Sequence, residues 1–208
     1  MIDEKEYFRE QIEGHELSEI YALSTPDYLK LMAFLREKIP AYAKVLDLGC
    51  NAGYETIMIK MSGHEVVGVD IGEKFVEKAR LKGVDAKVMD MHDLKFPDGT
   101  FDCVYANNVL EHAHTPSKVL NEMFRVLKHG GVAVICMPSD HLNPGYVAHE
   151  NWDPRLHVWK PDHEELTEAV VDAGFSVGNI AEIDAGKRFG LKNEASKDFY
   201  LVALCAKS

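Results

Sequence analysis

The chain has 208 residues, with 23 Lys+Arg against 34 Asp+Glu and a formal net charge of −11. At 46% hydrophobic and 27% charged it has the composition of an ordinary globular domain, long enough for one core and short for two. The acidic balance argues against broad phosphate-backbone binding, no apolar run approaches the roughly 18 residues of a membrane span, and the charged start MIDEKEYFRE is unlike a secretory signal. The expectation is a cytoplasmic protein with a small-molecule ligand and neither a nucleic-acid nor a membrane partner. Cys50, Cys103, Cys136 and Cys205 are too scattered for a metal pair or a disulfide framework, so reduced, mostly buried thiols are expected.

Residues 1–40 look helical, with Leu29, Met32 and Leu35 on one face, and read as an extension or lid ahead of a domain over 41–208. Lys44 to Gly49 is a short apolar run ending in glycine, as a buried parallel strand does. A helix over 53–62, a strand over 65–70, a helix over 73–82 and a strand over 85–90 follow, the helices stopped by Gly63 and Gly83. Pro97-Asp98-Gly99 marks a turn before a fourth strand, 101–106. Thr115 and Pro116 supply an N-cap and a first-turn proline for a helix to Lys128, and Gly130-Gly131 precede a charge-free strand over 132–137. Residues 138–160 lack periodicity and read as a loop; a helix opened by Pro161 and two closing strands, 175–183 and 198–206, complete the chain. With no helix between them, those two strands are expected to pair antiparallel. Alternating strands and helices predict an α/β, Rossmann-like, doubly wound fold: a mainly parallel seven-stranded sheet with an antiparallel last strand and N-terminal helices.

Ligands of open α/β sheets sit beyond the carboxyl ends of the strands. There the first strand carries Asp47-Leu48-Gly49-Cys50-Asn51-Ala52-Gly53. A nicotinamide GxGxxG pattern would need glycine at 51 and 54, which hold Asn51 and Tyr54. An acid two residues before the first glycine repels a pyrophosphate but accepts hydrogen bonds from a cationic ligand. Asp70 ends the second strand, where a carboxylate can grip both ribose hydroxyls, and Asp90 ends the third, where it can accept from an exocyclic amine. A ligand with a cationic amino-acid end, a ribose and an adenine, and no phosphate, fits this set; S-adenosylmethionine is such a molecule.

The segments VLDLGCNAGYET, VVGVDI, VMDMHDLKFPDGTFDCVYANNVLEH and EMFRVLKHGGVAVICMP resemble the class I S-adenosylmethionine-dependent methyltransferases of the methyltransferase type 11 kind, across residues 44–138 and less closely to 206. The resemblance implies that Gly49, Cys50, Asn51 and Gly53 line the cofactor, with Asp47 near its methionine amino group. It implies that Asp70 holds the ribose, Ile71 and Met91 flank the adenine, Asp90 bonds the adenine amine, and Asn107 faces the methionine. The family often has glycine where Asn51 stands; asparagine tolerates left-handed backbone, so the turn is expected to survive.

His112, just past the fourth strand, is a candidate general base for an oxygen or nitrogen nucleophile, and His141 in the following loop is a second catalytic candidate. The 138–160 loop, with Tyr146, His149, Trp152, Arg155, His157 and Trp159, is the expected acceptor-binding element. His141, His149, His157 and His163 have spacings that match no metal signature, so no metal is expected. The leading reading is a methyltransferase for a small-molecule acceptor; a catalytically silent cofactor-binding module and a non-methylating transferase on the same fold are the alternatives.

Overall fold

In a computed structural model, residues 37, 39–138, 157–184 and 199–208 are described. The expected helices and lid within 1–36, the 139–156 part of the acceptor loop and His141 lie outside them. The elements run β1 (Lys44–Leu48), α1 (Tyr54–Met61), β2 (Glu65–Asp70), α2 (Glu73–Leu81), β3 (Asp85–Val88), β4 (Phe101–Asn107), α3 (Pro116–Val126), β5 (Leu127–Pro138), α4 (His163–Asp172), β6 (Ser176–Asp184) and β7 (Phe199–Ala206). The strands form one seven-stranded sheet in the order β3-β2-β1-β4-β5-β7-β6. Strands β1 to β5 pair in parallel, and β7 runs antiparallel to both β5 and β6, the pairing expected of the two closing strands.

Period-2 alternation sends successive strand residues to opposite faces. Leu46, Leu48, Val67, Val69, Val104 and Ala106 share a core with Val119, Leu120, Met123 and Val126 of α3 and Leu166 and Val170 of α4. On the other face Val45, Val66, Cys103, Tyr105 and Val134 pack with Ile59 of α1, and Cys50, Val84 and Ala86 with Val76 and Ala79 of α2. All four cysteines are buried, and burial pushes the Cys103 and Cys205 thiols up to about 12. No described helix is long and apolar enough to cross a membrane.

Two local expectations are corrected. Helix α3 stops at Val126 and β5 begins at Leu127, before the glycine pair; Gly130 takes a φ of 75° and the β4–β5 register shifts between Phe101 and Cys103. An irregular strand start therefore absorbs the glycines that read as a helix stop. Thr115 sits at the N-cap of α3 but makes no side-chain capping bond; Pro116 aids the start only by its fixed φ and missing N–H. At α4 the cap is Asp162, whose carboxylate accepts from the Glu165 amide while Glu165 accepts from the Asp162 amide, a reciprocal capping box.

The strand order reverses between β1 and β4, which puts a crevice at their carboxyl ends. The turn after β1, the ends of β2 and β4 and the segment after β3 all open there.

Candidate cofactor site

The turn after β1 takes the left-handed backbone its glycines anticipate. Gly49, Asn51 and Gly53 have φ of 77°, 48° and 81°, so asparagine replaces the expected glycine without losing the turn. The amides of Gly49 and Cys50 both donate to the Val69 carbonyl, at 2.8 and 2.9 Å, tying the turn to β2. Gly53 is buried, and a Cβ there would lie 2.8 Å from Ala79 Cβ, so its missing side chain serves the close approach of α1 to α2 as well as the turn. A Cβ on Gly49 would meet Val109 Cγ2 at 2.5 Å, which brings the loop after β4 directly over the turn.

Asp70 fastens this cradle. Its Oδ2 accepts from the Asn51 amide at 2.9 Å and its Oδ1 from the Gly72 amide at 2.8 Å. A carboxylate oxygen has two lone pairs, so one oxygen can hold a backbone amide and a ribose hydroxyl together. Ile71 and Met91 are half-buried just after β2 and β3; β3 stops at Val88, so Asp90 and Met91 lie in the segment beyond it and not at the end of a strand over 85–90. Asp90 Oδ1 accepts from the His92 amide at 2.9 Å and contacts His92 Nδ1 at 2.8 Å, so one oxygen of the expected adenine partner is occupied in ordering its own turn. That segment is pinned by Arg125 of α3, which donates to the carbonyls of Leu94 and Phe96, both at 2.7 Å, and to Glu122.

Asp47 is 2% exposed on the α1 face, and Thr56 Oγ1 donates to its Oδ2 at 2.6 Å. Burial first, then the nearby negative charge of Glu55, pushes its carboxyl up to about 8, with Asp70 adding to the effect and the Thr56 bond opposing it. Glu55 is a site residue the sequence reading missed. An acid in a first helical turn looks like a simple complement to the helix dipole, yet Asn107 Nδ2 donates to Glu55 Oε1 at 2.8 Å from the end of β4. Asn107 Oδ1 is buried with no hydrogen-bond partner among the described residues. A buried acceptor on the residue bonded to Glu55 is suited to an ammonium group, which has donors only. The residues present therefore fit a phosphate-free cofactor with a cationic amino-acid end and a ribose: Asn107, Glu55 and Asp47 on the first, Asp70 on the second.

His112 closes a 3-10 turn, Leu110–His112, after β4. It is half-buried, and its ring stands edge-on to that of His157, with centroids 5.2 Å apart.

The chain matches a family described as a methyltransferase domain over residues 46–135. A demethylmenaquinone methyltransferase of Clavibacter sepedonicus is 31% identical over 190 residues, covering 77% of each chain. A Mycolicibacterium smegmatis protein named a probable S-adenosylmethionine-dependent methyltransferase is 32% identical over 153 residues, 68% of this chain and 58% of that one, so the chain spans little more than half of that relative. Among solved structures, the geranyl diphosphate C-methyltransferase of Streptomyces coelicolor A3(2), in complex with Mg2+, geranyl diphosphate and S-adenosyl-L-homocysteine, superposes with a TM-score of 0.73 over 98% of both chains at 14% identity. At that identity the likeness speaks for the fold.

Proposed function

Because the chain belongs to the class I S-adenosylmethionine-dependent methyltransferases, we propose that it transfers the sulfonium methyl of S-adenosylmethionine to an oxygen or nitrogen nucleophile of a small-molecule acceptor. The observation that carries the reading is the set of acids at one end of the sheet: Asp70 strapping the glycine turn, and Glu55, whose charge acts on Asp47, bonded to Asn107, whose Oδ1 is buried without a partner among the described residues. The cofactor, when bound, supplies an electrophilic methyl on a good leaving group. The remaining work is positional. Asp70 orients the ribose, Asn107 and Glu55 hold the ammonium, and the turn from Gly49 to Gly53 lets backbone approach where a side chain would obstruct. Alignment of acceptor, methyl and sulfur can supply about 7–11 kcal/mol of the barrier without a dedicated base.

Residues 1–40 and 138–160 belong to this reading as the segments that cover the acceptor and exclude water. A small acceptor agrees with the overall acidity of −11, which disfavours a nucleic acid. The test is transfer of labelled methyl from S-adenosylmethionine into a pooled metabolite extract, followed by identification of the product. A labelled small molecule formed with S-adenosylhomocysteine supports the proposal. Tight cofactor binding with no product and no S-adenosylhomocysteine replaces it with a silent binding module.

A further inference from the structure

Beside the cofactor crevice, the turn after β4 and the segment entering α4 bring Glu111, His112 and His157 together. Glu111 is 2% exposed and His157 6%. The approach is fixed by backbone, since the amides of Val158 and Trp159 both donate to the Glu111 carbonyl, at 2.9 and 3.1 Å. His157 Nε2 lies 3.9 Å from Glu111 Oε1, beyond the 2.7–3.2 Å of an N–H···O bond. One nitrogen from each histidine and one glutamate oxygen lie within 4.8 Å of one another.

Two imidazoles and a carboxylate brought this close offer three ligand atoms to one ion. A zinc-sized ion holds nitrogen at about 2.0–2.1 Å and carboxylate oxygen at about 2.0–2.2 Å, so its tetrahedral ligand atoms stand roughly 3.3–3.5 Å apart. The 3.9 Å glutamate–histidine gap is wider than that, so the three ligand atoms would draw together on binding an ion.

We propose that Glu111, His112 and His157 form a site for a divalent first-row transition metal of the zinc type. Two histidines and one carboxylate leave a fourth position open, the arrangement of catalytic rather than structural zinc. His112 is then a metal ligand instead of the general base considered from its sequence position. The site shares no residue with the residues assigned to the cofactor, and an acceptor oxygen or nitrogen is the chemistry suited to its open position.

The experiment is titration of the chelator-stripped full chain with Co2+ alone, without cofactor, followed by visible absorption. One equivalent is expected to produce the intense d–d bands of four-coordinate cobalt, lost on adding Zn2+. His157→Gln and Glu111→Gln should weaken binding by more than the 10–100-fold typical of losing a ligand's outer hydrogen-bond partner. His163→Gln, exposed at the start of α4 and outside the cluster, should leave it unchanged. If the buried variants do not fold, as judged by circular dichroism, His112→Gln serves in their place. Absence of the bands, binding that survives His112→Gln, or equal loss in His163→Gln overturns the proposal. Because no cofactor is present, each of these outcomes leaves the methyl-transfer reading standing.

Discussion

Replacing Asp47 by asparagine isolates the electrostatic burden that the crevice places on the fold. The wild-type carboxyl, 2% exposed and facing Glu55, is pushed up to about 8, whereas an unfolded chain gives up that proton near pH 4. Between those values unfolding releases a proton, so stability is fullest at the acid end and is lost as pH rises through the window. One pKa unit corresponds to about 1.4 kcal/mol, which sets a ceiling on the order of 5 kcal/mol for the whole span. The asparagine of the variant retains an oxygen for the Thr56 hydroxyl and does not titrate. Urea denaturation of the cofactor-free chain at several values between about pH 5 and 8 should show Asp47→Asn gaining on wild type as pH rises. Saturating S-adenosylmethionine should shrink the gain, because a cation over the carboxylate favours its ionised form. A difference independent of pH, or a wild-type advantage that grows with pH, refutes the reasoning.

Asp70→Ala should lower S-adenosylmethionine affinity at least about tenfold by calorimetry, and the amides of Asn51 and Gly72, left without their acceptor, should cost about 1–3 kcal/mol of stability; unchanged affinity removes the ribose assignment. Glu55→Gln should weaken S-adenosylmethionine about tenfold, the loss of one charge-assisted bond, yet leave methylthioadenosine, which lacks the amino-acid end, unaffected; equal losses would mean a distorted crevice instead of a lost ammonium partner. His64 is 6% exposed, neither ring nitrogen has a hydrogen-bond partner among the described residues, and burial lowers its pKa. An unfolded chain takes up that proton near pH 6.5, so the native state loses stability as pH falls below it, by at most about 1.4 kcal/mol per unit. His64→Leu should therefore gain on wild type as the solution is acidified, in the opposite sense to Asp47→Asn, and a pH-independent difference would refute this.

What was legible in the sequence was local. The turn from Asp47 to Gly53 announces itself because left-handed backbone demands glycine or asparagine within a few residues, and apolar runs give the strand end at Asp70 and place that of β4 within one residue, at 106 against the observed Asn107. The start of β5 was misplaced because a glycine pair inside an irregular strand looks the same as one ending a helix. Partners distant in the chain were invisible. Glu55 and Asn107 are 52 residues apart and meet only because β1 lies beside β4. Glu111 and His157 meet through backbone bonds from a segment with no periodicity, so histidine spacing along the chain carried no trace of the cluster.

The claim on which the rest depends is that the acid-lined crevice holds a phosphate-free adenosyl cofactor. Thermal unfolding of the chain with S-adenosylmethionine, S-adenosylhomocysteine or NAD tests it directly. A ligand at a hundred times its Kd adds about 2.7 kcal/mol, a rise of roughly 5–10 °C for a chain of this length. Both sulfur nucleosides should produce such a rise and NAD none. Stabilisation by NAD alone contradicts the claim.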